Sequence, residues 1–334
     1  MRSKMLRYVP VAASVLAIAL ASTAAADTWR MAHKMPPDSI EGRLFQAFAD
    51  RIEEKTGGDI TVEVYPAEQL GKDDVILEQL QLGTVHIYPE GVGYLEKWVP
   101  AIKYTSAPFV FEDREHWARF MATDLVQGWL DEVAQEHDVA VIGDTTAFVR
   151  GPYRVMVTKE PFETVDEMAG TKLRMHPNEL AAAAWRHLGA EVRTLAWTEV
   201  YESISRGIVE AVNSPIALVE PMRFYEVAPN VVRHNEYPQG MAFMTNATTW
   251  AGLDAETREQ ILEAHAEVSA ESAEAMTAAA EESIARMKEE GVSFSTADVS
   301  TFVEKMQSFY AEMDAAGDLP EGFLAAVDAT RRPE

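Results

Sequence analysis

The sequence predicts an α/β protein of two lobes joined by one long helix, and three observations lead there. Strand-like runs alternate with amphipathic helical runs along most of the chain, which argues for mainly parallel sheets covered on both faces. The 308 residues that follow a leader-like first 26 are enough for two lobes, each with its own core. A helical stretch from an Asp254 N-cap to a Gly291 stop would run roughly 55 Å at about 1.5 Å per residue, too long to serve one lobe.

Taken in order, Arg2, Lys4 and Arg7 precede an apolar run from Val9 to Ala21, and Ala24, Ala25 and Ala26 supply small residues for cleavage. That is the pattern of a secretory signal peptide, and the run is short of the roughly 20 residues that a spanning helix needs. The expected mature chain starts near Asp27. Thr28 to His33 reads as the first strand. Ile40, Leu44, Phe45, Phe48 and Ile52 then recur at helical spacing until Gly57 and Gly58. Ile60, Val62 and Val64 alternate with polar neighbours, the period of a half-buried strand. Gly71 to Leu82 reads as a helix, Val85 to Tyr88 and Val139 to Ile142 as strands, and Tyr153 to Lys159 as the strand entering the second lobe. A short strand from Lys172 to Arg174 stops before Pro177, and helix, strand and helix follow up to an edge at Asn213, Ser214 and Pro215. Met222 to Glu226 reads as helix and Glu236 to Asn246 as a return strand. The alanine-rich run Ala264 to Ala280 suits a helix lying close to its neighbours. Val292 to Phe294 is a last strand, and Phe302, Met306, Phe309, Tyr310 and Met313 mark a last amphipathic helix. The expected first lobe is 27–151 plus 240–279 and the second 152–239 plus 280–334, with a cleft between them.

Composition narrows the function. The chain has no cysteine, so thiol nucleophiles and zinc–thiolate sites are excluded. Its net charge of −25 becomes about −28 without the leader, which opposes casual binding to nucleic acid or anionic membranes. An anionic ligand would therefore need a local positive pocket. No GxSxG, P-loop or HExxH motif is present, and Gly91-Val92-Gly93 lacks the third glycine of a dinucleotide fingerprint. His33 and His176 stand near strand ends, where a lone histidine is more often a hydrogen-bonding residue than a metal ligand. No catalytic, cofactor or metal set is expected.

The arginines point the other way. Arg174 ends a strand just before a proline, and a guanidinium offers a carboxylate two parallel hydrogen bonds without ever losing its charge. A surface ion pair with Glu179 or Asp166 is the competing reading. Arg154 lies 20 residues earlier, on what reads as an adjacent parallel strand, and Arg150 is its alternative. From the first lobe, His33, Glu68 and Glu90 are candidates; Glu90 sits in a Tyr-Pro-Glu-Gly turn, with an exposed acid as the plain alternative.

One ordered set remains: Gly170, Lys172 and Arg174, Gly189, Trp197, Glu199, Val200 and Tyr201, Gly207, Val209, Glu210 and Pro215. It is flanked by Pro66, Gln69-Leu70-Gly71, Gly83 and Pro108-Phe109 upstream, and by Phe224-Tyr225-Glu226-Val227, Asn246 and Trp250 downstream. On these residues the chain resembles the solute-binding proteins of tripartite ATP-independent periplasmic (TRAP) transporters, the dicarboxylate-binding-protein family, over nearly all of its mature length. The resemblance implies the two-lobed periplasmic binding protein fold with a bridging helix. It also implies a small organic acid held between the lobes and delivered to a membrane permease driven by an ion gradient. It further implies that Arg174 holds the ligand carboxylate, that Trp197 covers the ligand, and that an asparagine hydrogen-bonds it. The register puts Ser214 at that last place beside Asn213, which leaves both open. His86 replaces a residue that is often acidic in the family.

The expected protein is a monomeric, non-enzymatic periplasmic binding protein. A ligand-presenting sensor module and a secreted hydrolase are the alternatives, the latter lacking any local nucleophile–base pair. If Glu90 faces the cleft opposite Arg174, the site is bipolar. Hydroxylated sugar acids then rank first, amine-bearing solutes second and plain dicarboxylates lower.

Overall fold

A computed structural model describes residues 26–332; the leader expected at 1–26 lies almost wholly outside the described residues. The chain opens with β1 (Asp27–Ala32), α1 (Ile40–Lys55), β2 (Ile60–Tyr65), α2 (Asp73–Gln81) and β3 (Tyr88–Glu90). Two 3-10 segments, Val92–Lys97 and Pro100–Ser106, lead to α3 (Arg114–Met121), α4 (Asp124–His137) and β4 (Val139–Ile142). The second lobe contributes β5 (Arg154–Thr158), β6 (Lys172–Met175), α5 (Glu179–His187), β7 (Glu191–Thr194), α6 (Val200–Ser205), β8 (Ala211–Pro215) and β9 (Asn230–Arg233). The chain then returns through β10 (Ala242–Asn246), α7 (Ala247–Gly252), α8 (Ala255–Glu289), β11 (Ser293–Thr296), α9 (Val299–Ala316) and α10 (Phe323–Ala329).

Two sheet layers result. In the first lobe β10 lies between β3 and β4, and the parallel pair β1–β2 is joined to it by a Met31–Ile87 bridge. The second lobe carries one sheet in the order β11-β9-β5-β8-β6-β7. The expectation of mainly parallel sheets needs correction. Pairs β1–β2, β6–β7, β6–β8 and β9–β11 are parallel, but β10 is antiparallel to β3 and β4, and β5 to β8 and β9. The strands that carry the chain between lobes enter their sheets from the opposite direction, and no helical crossover turns them round.

Local chemistry sets the element ends. Ser39, Asp113, Thr123, Asn178, Asn246 and Asp254 each cap a helix by accepting a hydrogen bond from the backbone N–H two or three residues on. Three expected elements differ, the first being the return strand expected over Glu236 to Asn246, which covers only Ala242–Asn246. The strand placed at Val85 to Tyr88 runs instead over Tyr88–Glu90, because Val85 is spent on the core and Ile87 on the bridge to Met31. Met222 to Glu226 is a turn ending in a single 3-10 turn at Phe224–Glu226, entered through Arg223 at φ 58°, a conformation that breaks an α-helix.

Helix α8 spans 35 residues and packs along α1 through its first half, where Arg51 meets Glu271 at 2.7 Å and Lys55 meets Glu267 at 2.8 Å. Farther along it lies against the second-lobe turn Ile216–Leu218, and Arg286 meets Glu220 at 2.6 Å. Its buried face is built from small residues with a few large ones: Ala264, Val268, Ser272, Met276 and Ala280. At Gly143, φ 69°, an added Cβ would stand 2.3 Å from Nδ1 of His265, so only glycine lets α8 sit this close to the end of β4. Among the described residues no helix is long and apolar enough to cross a membrane.

Candidate ligand-binding site

Where the sheets face each other, the strand ends enclose a cavity of about 50 Å³ lined by both lobes. Arg174, near the end of β6, contributes a guanidinium that is only 5 % exposed. Its Nε donates to the Leu195 carbonyl at 2.9 Å and its plane lies 5.3 Å from the Trp197 ring. Neither Glu179 nor Asp166, the surface acids of the competing reading, pairs with it, and Asp166 meets Lys305 instead. Burial, with a smaller push from Arg154, lowers its pKa to about 10, so at neutral pH it is still a buried positive charge.

The other cations of the wall are already matched. Arg150 takes Glu41 through Nε at 2.9 Å and also pairs with Glu90. Arg154 takes Glu236 at 3.0 Å and Gln239 at 2.7 Å, over the ring of Tyr237. Lys34 takes Glu90 at 2.9 Å, Asp73 at 3.0 Å and the Tyr94 hydroxyl at 2.8 Å. Burial raises the Glu90 carboxyl, but Arg150, Lys34 and the Gly91 N–H outweigh it and hold the group down at about 2. Among the described residues, Arg174 is therefore the lining cation without an acidic partner.

Arg154 and Arg174 do meet at one cavity, for a different reason from the one expected. Their strands are not neighbours, because β8 lies between them. β5 runs antiparallel to β8 and β6 parallel to it, so the first residue of β5 and the end of β6 reach the same sheet edge; Arg154 pairs with Pro215 at the end of β8.

Asn213 lines the cavity and Ser214 does not, since successive residues of β8 face opposite sides. Ser214 is fully buried and donates to the Pro215 carbonyl at 2.9 Å. His33 also lies away from the lining: its ring packs 5.1 Å from Phe45, and Nδ1 accepts the Met35 N–H at 3.2 Å. Glu68 accepts from the Thr198 hydroxyl at 2.8 Å, a contact between lobes away from the cavity wall. Glu90 does line the cavity, but its oxygens are taken up by Lys34, Arg150 and the Gly91 N–H. Glu90 and Arg174 thus line one cavity, as the bipolar reading required, but Glu90 is already met by Lys34 and Arg150 and does not call for a ligand ammonium.

Two further lining groups have no partner among the described residues: the buried Nε1 of Trp197, a donor, and the buried Oδ1 of Asn213, an acceptor. Orphaned buried polar atoms are costly unless something else meets them. The wall also includes Lys34, Tyr94, His176, Tyr237 and Gln239, which sequence reasoning did not place in the site. One signal was available: Glu41 is an acid on the buried stripe of α1, beside Phe45 and Phe48, and a buried acid implies a buried cation. Among the described residues no cluster of three or more His, Cys, Asp or Glu side chains is placed to hold a metal ion.

Outside the cavity the lobes touch through polar contacts, one exposed and one partly buried. Lys72 reaches Glu199 at 2.5 Å, and Asn178 lies 3.4 Å from Glu96. Burial, aided by nearby Glu179, raises the Glu96 carboxyl to about 7 despite Lys103.

Comparison with known proteins agrees with this geometry. Residues 31–316 match the family described as bacterial extracellular solute-binding protein, family 7. The sialic acid-binding periplasmic protein SiaP of Vibrio cholerae is 28% identical over 298 residues, covering 89% of this chain and 91% of that protein. The C4-dicarboxylate-binding periplasmic protein DctP of Rhodobacter capsulatus is 27% identical over 260 residues, 77% of each chain. A TRAP periplasmic solute-binding protein from Chromohalobacter salexigens, solved with bound D-glucuronate, superposes with a TM-score of 0.82 at 24% identity, covering 91% of this chain and 100% of that one. This chain therefore belongs to the bacterial extracellular solute-binding proteins of family 7, the solute-binding components of TRAP transporters.

Proposed function

We propose that the protein captures a small hydroxylated monocarboxylate, a sugar acid, between its lobes in the periplasm and hands it to a membrane permease. Arg174 anchors the carboxylate, Trp197 and Asn213 meet hydroxyls, and Arg154 and Glu90 belong to the frame that holds the wall in place. The observation that carries this reading is how the wall's cations are paired. Lys34, Arg150 and Arg154 each touch at least one of the carboxylates Asp73, Glu90, Glu41 and Glu236, whereas Arg174 touches none among the described residues. One ligand carboxylate supplies that missing contact. A second carboxylate would enter a wall with no unmatched cation left and would carry a desolvation cost without return.

The orphaned donor of Trp197 and acceptor of Asn213 ask for groups that both give and take hydrogen bonds, as hydroxyls do. The names of the relatives support both chemistries, a sialic acid and a D-glucuronate on one side and C4-dicarboxylates on the other. The wall favours the first. A sugar acid is larger than the present cavity, so the lobes must part to admit it and close around it. The lobes in this reading are 27–151 plus 240–279 and 152–239 plus 280–334, exported behind the leader 1–26. The protein works as a monomer without covalent chemistry.

A thermal-shift screen of D-glucuronate, D-galactonate, D-gluconate, succinate and malate tests the reading. A ligand at about 100 times its Kd adds roughly 2.7 kcal/mol to stability. Stabilisation by the sugar acids beyond that given by succinate is expected; succinate as the best ligand overturns it.

A further inference from the structure

Beside the main cavity lies a smaller chamber of about 20 Å³, and the two share Tyr94, His176, Tyr237 and Gln239. The chamber exists because two positions have no side chain. An added Cβ at Gly91 would stand 3.1 Å from the Gln239 side-chain nitrogen, and one at Gly93 would stand 3.2 Å from the Ser106 hydroxyl.

His176 stands at the neck between them. It follows Arg174 by two residues, and its half-buried ring stacks on Tyr94 at 5.9 Å and lines both spaces. The Tyr94 hydroxyl already accepts from Lys34. Charged groups surround the ring: Arg174, Arg154 and Lys34 on one side of the balance, Glu90 on the other. Burial and then these cations keep its pKa well below the ordinary histidine value. The imidazole is thus neutral at pH 7, with one N–H to donate and one bare nitrogen to accept.

We propose that His176 is a specificity-determining residue that pairs with a hydroxyl of the ligand and admits the ligand's distal end into the smaller chamber. The inference rests on the sugar-acid reading above and deepens it. With Arg174 taken by the ligand's own carboxylate, a second carboxylate beside His176 would find no unpaired cation. A methylene can bond neither ring nitrogen, whereas a hydroxyl can donate to the bare one or accept from the N–H. The class selected is an acid whose carbon chain, beyond the carboxylate held by Arg174, carries a hydroxyl at the neck.

Calorimetry on wild type with D-glucuronate, D-galactonate and D-gluconate identifies the tightest of the three, and its singly deoxygenated analogues are then measured on wild type, His176→Phe and Gly93→Ala. His176→Phe should lose about 10- to 100-fold for the parent acid. It should lose nothing further for the one analogue that lacks the hydroxyl at the neck, while the other analogues keep the full penalty. Gly93→Ala, which fills the chamber, should weaken the six-carbon parent and leave D-glycerate unaffected. An unchanged parent affinity in His176→Phe, or equal losses for the parent and every analogue, overturns the inference and leaves the sugar-acid reading standing. Failure of wild type to bind any of the three acids overturns both.

Discussion

At the scale of single residues, the site is a set of buried charges in which one, Arg174, has no acidic partner among the described residues. Replacing Arg174 with Ala should weaken acid binding by about 2–5 kcal/mol, with Lys a poor substitute because it lacks the planar fork. Calorimetry checks it, and wild-type affinity in Arg174→Ala would remove the anchor. Glu90 predicts something different. Because it balances Lys34 and Arg150, Glu90→Gln should destabilise the ligand-free protein by about 3–5 kcal/mol, visible as a lower denaturation midpoint without any acid present. Arg174 and Trp197 were legible in the sequence, since a strand end before a proline and an ordered set of matching residues mark them. The Lys34, Glu41 and Glu236 partners were not, because each acid finds its base tens of residues away and no local pattern records the pairing. Asn213 over Ser214 was a question of strand face, and a one-residue step decides it.

At the scale of elements, periodicity served well wherever an element buries one face. Helix α1, strand β4 and helix α8 stand within a residue or two of their expected ends. The stretch from Val92 to His137 was opaque. Its short 3-10 segments and the eight-residue α3 are held by packing and by reach to the chain end, as where His116 meets the Val327 carbonyl. Helix α8 depends on small residues at its contacts. Ala264→Leu should cost about 1–3 kcal/mol through overpacking, while exposed Ala266→Leu should change stability by about 0.5 kcal/mol or less. Urea midpoints separate the two. The 3-10 segment that carries Glu96 makes the lobe contact sensitive to pH. Here burial holds this carboxyl at about 7, so whatever part of that burial the facing lobe supplies should cost nothing below about pH 4.5 and disfavour closing increasingly from there to about pH 7, above which the penalty levels off. Acid affinity should therefore fall several-fold between pH 5.5 and 8, and Glu96→Gln should flatten the profile. An equally steep profile in Glu96→Gln would assign the effect elsewhere.

At the scale of the whole molecule, two lobes tied by two crossings and a shared helix form a hinge. A saturating sugar acid should lower the radius of gyration in solution scattering, the result expected of lobes that part and give up contacts such as Lys72–Glu199 when no ligand is bound. That exposed pair is screened by solvent and cannot hold the lobes shut alone. An unchanged profile with ligand would argue against closure. The position of β10 in the first sheet has a consequence in time. It fills the centre of that sheet, between β3 and β4, yet it is synthesised after the whole of the second lobe up to β9. Until residue 242 emerges, β3 and β4 present bare edges to each other across a missing strand. The sheet of the first lobe thus cannot be completed until the strands β5 to β9 of the second lobe have been made. Such late, long-range closure folds slowly, and it keeps a nascent chain threadable through a translocation pore for longer than a lobe that folds in order.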